Sequence, residues 1–146
     1  MAALTEERDT PRRGENSVAD LETIKLAAST KIYAGSLVCK NAAGNAVPGA
    51  TATTLVAMGR AEFTVDNSTG LVDVKSIDVR PGTFRWGNSS AGDLIAKADI
   101  GSICYVVDDQ TVAKTSATNT RSVAGKVVEV DSTGVWVRTG IGIALT

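Results

Sequence analysis

The chain of 146 residues contains no histidine. That absence removes the commonest general base and the commonest metal ligand, and with them every Ser-His-Asp or Cys-His arrangement. Aromatic residues make up only 4% of the sequence, so the core is expected to be thin and built from Val, Ile, Leu and Ala. The two cysteines, Cys39 and Cys104, each sit in an apolar run with no helper residue close in sequence. Each reads as a buried reduced thiol, and a disulfide between them stays open. No apolar run approaches the roughly 18 residues that a membrane span needs, and the N-terminus has no apolar h-region. Neither a spanning helix nor a signal peptide is therefore expected, and synthesis is placed in a cytoplasm.

Charge of either sign is nearly balanced, at 15 Lys and Arg against 16 Asp and Glu. The N-terminal arm, residues 1–17, holds four acids (Glu6, Glu7, Asp9, Glu15) and three bases (Arg8, Arg12, Arg13), which leaves residues 18–146 neutral. A neutral body lacks the clustered positive charge of a nucleic-acid groove or an electrostatic membrane contact. The arm itself is almost free of apolar residues from Thr5 to Ser17. It cannot bury enough surface to offset its ordering entropy, about 1–2 kcal/mol per residue for the backbone alone. It is either a solvated tail or a segment that orders against a partner, and Pro11 favours an extended form.

Past the arm, turn signals recur every few residues. They are Asn41–Asn45, Pro48-Gly49, Asp66–Gly70, Arg80-Pro81-Gly82, Asp108-Asp109-Gln110 and Asp131–Gly134. Each pairs residues that bond their own backbone with others that accept tight turns. Between them lie β-branched and aromatic residues with period-2 alternation, as in Leu71–Arg80, Ile103–Val107 and Ala124–Val130. That pattern suits half-buried strands. No segment carries a convincing helical stripe; the best candidate is a short turn around Ala96–Ile100. The reading is an all-β fold, a small β-sandwich or β-barrel with short hairpins and little helix behind an extended arm. Trp86 and Trp136 are the large anchors; core positions are the simpler reading for both, and an interface role for one stays open.

A search for chemistry finds little. Asp66-x-Ser68-x-Gly70 resembles the start of a calcium loop, but Ile77 stands where a bidentate Glu is needed. Asp108-Asp109 reads as a solvated hairpin tip. Gly125-Lys126 lacks a phosphate loop's first Gly (Thr120 is there) and its Ser or Thr (Val127). Phe84, Trp86 and Tyr105 form an aromatic trio that stacks bases only if the fold gathers them on one face. No catalytic group, metal set or cofactor is assigned, and no enzyme activity is expected.

The arm Thr5–Arg13 resembles the N-termini of small capsid cement proteins from tailed phages and Mu-like prophages. Further similar segments are Lys31–Gly35, Ala46–Ala50, Val107–Lys114 and Val135–Arg138, and Gly82-Thr83-Phe84-Arg85-Trp86 distantly resembles a string in the lambda-type head decoration protein. The resemblance implies a β-rich protein on the outer surface of an expanded head, a homotrimer whose arms pair with strands of the major capsid protein. On that basis the capsid-binding arm is Thr5, Glu6, Arg8, Asp9, Thr10, Pro11, Arg12 and Arg13, with Trp86 and Trp136 as candidate interface anchors. The other reading is a carbohydrate- or receptor-binding β-module that displays one of those tryptophans.

Overall fold

The turn signals divide the chain into short strands. In the computed structural model, which describes Arg8 and residues 21–141, these are β1 (Glu22–Lys25), β2 (Thr30–Ile32), β3 (Leu37–Lys40), β4 (Ala46–Pro48), β5 (Val56–Ala61) and β6 (Val65–Asn67). There follow β7 (Ser76–Arg80), β8 (Gly82–Trp86), β9 (Ile103–Val106), β10 (Val112–Ala113), β11 (Val123–Asp131) and β12 (Gly134–Thr139). Among the described residues helix is limited to single 3-10 turns at Ala91–Asp93 and Lys97–Asp99. The second lies within the turn expected around Ala96–Ile100, and Asp99 Oδ2 accepts the Ala96 N–H. The fold is all-β, as the alternation implied. Seven of the arm residues singled out, Thr5, Glu6, Asp9, Thr10, Pro11, Arg12 and Arg13, lie outside the described residues; Arg8 is exposed.

Two five-stranded sheets are packed together, ordered β1-β7-β5-β3-β4 and β10-β9-β11-β12-β8, with every pairing antiparallel. Each curls until its outer strands meet. A parallel bridge from Leu26 to Ala46 joins the end of β1 to β4, and another from Gly87 to Thr111 joins the end of β8 to the start of β10. The hairpin-like pair β2-β6 covers the far side of the first sheet.

β3 shows why the layers hold. Leu37, Val38 and Cys39 are all fully buried, although successive side chains in a strand point to opposite faces. Leu37 and Cys39 join Trp86, Cys104, Val106, Val135 and Val137 in the core shared with the second sheet. Val38 joins Leu26, Ile32, Met58, Ile77 and Val79 in the core beneath β2-β6. A strand covered on both sides reads as a continuous apolar run rather than an alternation. The curl is set by bulges. In β5, Gly59 pairs with Val38 and Ala57 with Cys39, which leaves Met58 as the extra residue. Gly59 has φ 142°, and a Cβ there would collide with the Arg80 carbonyl. Gly125, at a bulge in β11, repeats the device against the Arg138 carbonyl.

One expected strand is shorter than its pattern. The alternation in Leu71–Arg80 extends to Leu71, but only Ser76–Arg80 forms β7. Residues before it make a turn in which Asp73 adopts φ 66°. Side-chain amides from distant segments hold that turn.

Candidate interaction surface

Two surface features present side chains that neither core uses. The first lies at β8. Phe84 and Trp86 point inward and meet edge to face, with centroids 6.1 Å apart. Arg85, between them, points outward opposite Trp136 of β12, its guanidinium 5.7 Å from the indole centroid. Trp136 is fixed from the other side: its Nε1 donates to Asp131 Oδ2 at 3.0 Å. Asp131 Oδ1 also accepts from the Thr133 hydroxyl and from the Thr133 and Gly134 N–H groups, which closes the β11-β12 turn. The Thr133 hydroxyl, then the indole, hold the Asp131 carboxyl down at about 2.

Arg60 of β5 stands 4.6 Å over the Phe84 ring and donates to Glu62 Oε1 at 2.9 Å. Arg80 Nε donates to the same oxygen at 3.2 Å. The hydrogen bond from Arg60, reinforced by Arg80, lowers the Glu62 carboxyl below its ordinary range. Gly35, Arg60, Phe84, Arg85, Trp86 and Trp136 enclose a depression of about 320 Å³. A second, of about 350 Å³, lies alongside, lined by Tyr33–Ser36, Asp109 and Gln110, and Gly35 borders both.

The second feature is the turn before β7. Leu71, Val72 and Val74 are exposed by 75%, 50% and 64%, an unusual run for apolar side chains on an ordered backbone. The backbone beneath them is tied down. Asn67 Nδ2 donates to the carbonyls of Ala27 and Leu71, at 3.1 and 3.0 Å. Asn45 Nδ2 donates to Asp73 Oδ1 at 2.6 Å, and the Asp73 N–H donates to Leu26 O at 3.1 Å. Lys75 Nζ closes the turn on Asp66 O at 2.6 Å. The three apolar side chains are thus presented outward by a fixed scaffold.

The remaining sequence candidates fall into place around these features. Trp86 is buried, 5% exposed, and Trp136 is half-buried. Tyr105 lies on the outer face of β9, because Cys104 and Val106 on either side of it are buried, so the aromatic trio is split between faces and makes no stacking platform. Asp66 accepts from the Ser68 N–H and hydroxyl, and Asp108 from the Gln110 N–H; both are turns. No group of three or more metal-ligating side chains occurs among the described residues. Cys39 and Cys104 are free and buried in the same core, and burial pushes both thiols up to about 12, far from nucleophilic at neutral pH. Among the described residues no helix is long and apolar enough to cross a membrane.

Sequence reasoning gave Arg60 no role and named Arg85 only within the Gly82–Trp86 string. Their signal is present in part: Arg85 lies between two aromatic residues of one strand, which places it on the opposite face. The chain matches no family model, no curated protein and no solved structure.

Proposed function

We propose that the protein is a structural decoration protein of a tailed-phage head, bound as a homotrimer to the major capsid protein on the outer capsid surface. The observation that carries this reading is the fixed turn bearing Leu71, Val72 and Val74 in solvent. Exposed apolar side chains held on a rigid backbone are what a protein-protein contact needs, because little ordering entropy remains to be lost on docking. The segments similar to capsid cement proteins point to the same class of partner.

The arm contributes the second element. Suppose about six main-chain hydrogen bonds form with a capsid strand, each worth roughly 0.5–1.5 kcal/mol net. Ordering six to eight residues costs about 1–2 kcal/mol each, so the terms nearly cancel. One arm alone binds weakly. Apolar contact from the body and the avidity of three linked arms supply the rest. The carbohydrate-binding reading has less support, since Trp86 is buried and the Arg85 guanidinium faces the Trp136 ring.

The test is the triple variant Leu71→Ser, Val72→Ser, Val74→Ser. It is expected to keep its fold, since none of the three is in either core, and to bind expanded heads at least about tenfold more weakly. A folded variant that saturates heads at the wild-type concentration would remove the observation on which the reading rests.

A further inference from the structure

β8 ends its sheet. On one side it pairs with β12 over its whole length, from Gly82 opposite Thr139 to Trp86 opposite Val135. On the other side, among the described residues, backbone bonds form just past its end: the Gly87 N–H donates to Gln110 O at 2.7 Å, and Gly87 O accepts from the Val112 N–H at 2.9 Å. Backbone groups in a strand alternate sides. Gly87 directs its pair away from β12, so Arg85 and Thr83, two and four residues earlier, direct theirs the same way. Among the described residues neither finds a backbone partner there. The chain that would have supplied one turns off at Asp108–Gln110.

A depression of about 320 Å³ lies beside β8. Phe84 and Trp86 lie on one face of β8, Arg85 and Trp136 on the other, and all four line the same hollow. Residues from both faces of β8 thus border one hollow. Arg60 and Arg85 stand at its rim, each against an aromatic ring, at 4.6 and 5.7 Å. A guanidinium held near a ring face by cation–π attraction keeps N–H groups available for a carboxylate. Arg60 already shares Glu62, but Arg85 makes no ion pair among the described residues. Past Gly35 the adjoining hollow continues the groove towards Asp109 and Gln110.

We propose that the free edge of β8 docks an extended, carboxylate-bearing peptide segment of a partner protein. The guest adds a strand along Thr83–Arg85 in line with β10 and places acidic side chains on the outer face, beside Arg85. Main-chain pairing provides attachment, and the Arg85 guanidinium provides selectivity for acid over base. This site is separate from the Leu71–Val74 turn. It is tested on the isolated protein, so its failure and the failure of the decoration reading are distinguishable.

The probe is the synthetic peptide acetyl-Thr-Val-Glu-Val-Glu-Val-Thr-amide, titrated into nitrogen-15-labelled protein. The expected result is saturable shifts and slowed hydrogen exchange at the Thr83 and Arg85 amides. The counterpart with Lys in place of both Glu binds at least about tenfold more weakly. N-methylation of the peptide along one edge abolishes binding, while methylation along the other leaves it intact. Arg85→Met weakens the Glu peptide and narrows its advantage over the Lys peptide. Three results overturn the proposal. The first is no saturable shift at about 5 mM peptide, beyond any useful affinity. The second is equal binding of the Glu and Lys peptides. The third is protection of the two amides in free protein that grows with protein concentration, which would make a second copy the occupant.

Discussion

Leu37 and Val38 are adjacent, fully buried and on opposite faces of β3, in different cores. If β3 joins those cores into one folding unit, truncating either residue destabilises the whole described domain. Leu37→Ala removes three carbons from the shared core, about 0.8 kcal/mol each, and adds a cavity term, for about 3–4 kcal/mol. Val38→Ala removes two, for about 2 kcal/mol by the same reckoning. In a domain of this length each kcal/mol lowers Tm by roughly 3–5 °C, so the two variants melt about 9–20 °C and about 6–10 °C early. The assay is thermal unfolding followed at once by far-ultraviolet circular dichroism and by tryptophan fluorescence. Both tryptophans belong to the second sheet, at β8 and β12, whereas Val38 packs beneath β2-β6. Fluorescence therefore reports a region that Val38 does not touch. A single unit requires the fluorescence midpoint of Val38→Ala to fall as far as the dichroism midpoint. If fluorescence stays at the wild-type midpoint while dichroism loses an early fraction, the two cores unfold separately and the account of β3 is refuted.

Two further expectations follow from side chains. The Asp131 carboxyl is held at about 2 by Thr133 and Trp136. A folded-state value below the unfolded one, about 3.9, adds stability that is full above pH 4 and lost as pH falls towards 2. The stability gap between wild type and Asp131→Asn, from denaturant titrations, should be constant near neutrality and shrink below pH 4; a gap that widens in acid would contradict the assignment. Both buried thiols, raised to about 12, should ignore a thiol-specific disulfide reagent at pH 8 in native protein and react together on unfolding. Fast reaction of either thiol in the folded state would contradict their burial.

The parts of the fold legible in sequence are those decided locally. Asp131, Asp108, Asp66 and Asn41 each bond backbone N–H groups a few residues ahead, so their turns appear in the sequence as short polar clusters. The Leu71–Lys75 turn shows the opposite case. Its alternation is that of a strand, but Asn45 reaches it from 28 residues away and Asn67 ties it to Ala27. Such bonds leave no periodic trace. The hollow at β8 is hidden for a similar reason, because Arg60 and Phe84 are 24 positions apart and meet only when the first sheet packs on the second. Bulges at Gly59 and Gly125 shift the register within β5 and β11, which breaks the parity that an alternation argument relies on. The low aromatic content shows in the cores: among the described residues they are filled mainly by Val, Ala, Ile and Leu, with Trp86 buried in one and Phe84 packed against it.

The central claim, that this is a head decoration protein attached by its arm and its apolar turn, is tested most directly by co-sedimentation. Purified protein, and the same protein lacking residues 2–17, are mixed with expanded and with unexpanded tailed-phage heads. The account predicts saturable binding of the full chain to expanded heads alone, and loss of that binding in the truncated chain while its folded body persists. Equal binding of both chains, or no binding of the full chain to expanded heads, would contradict it.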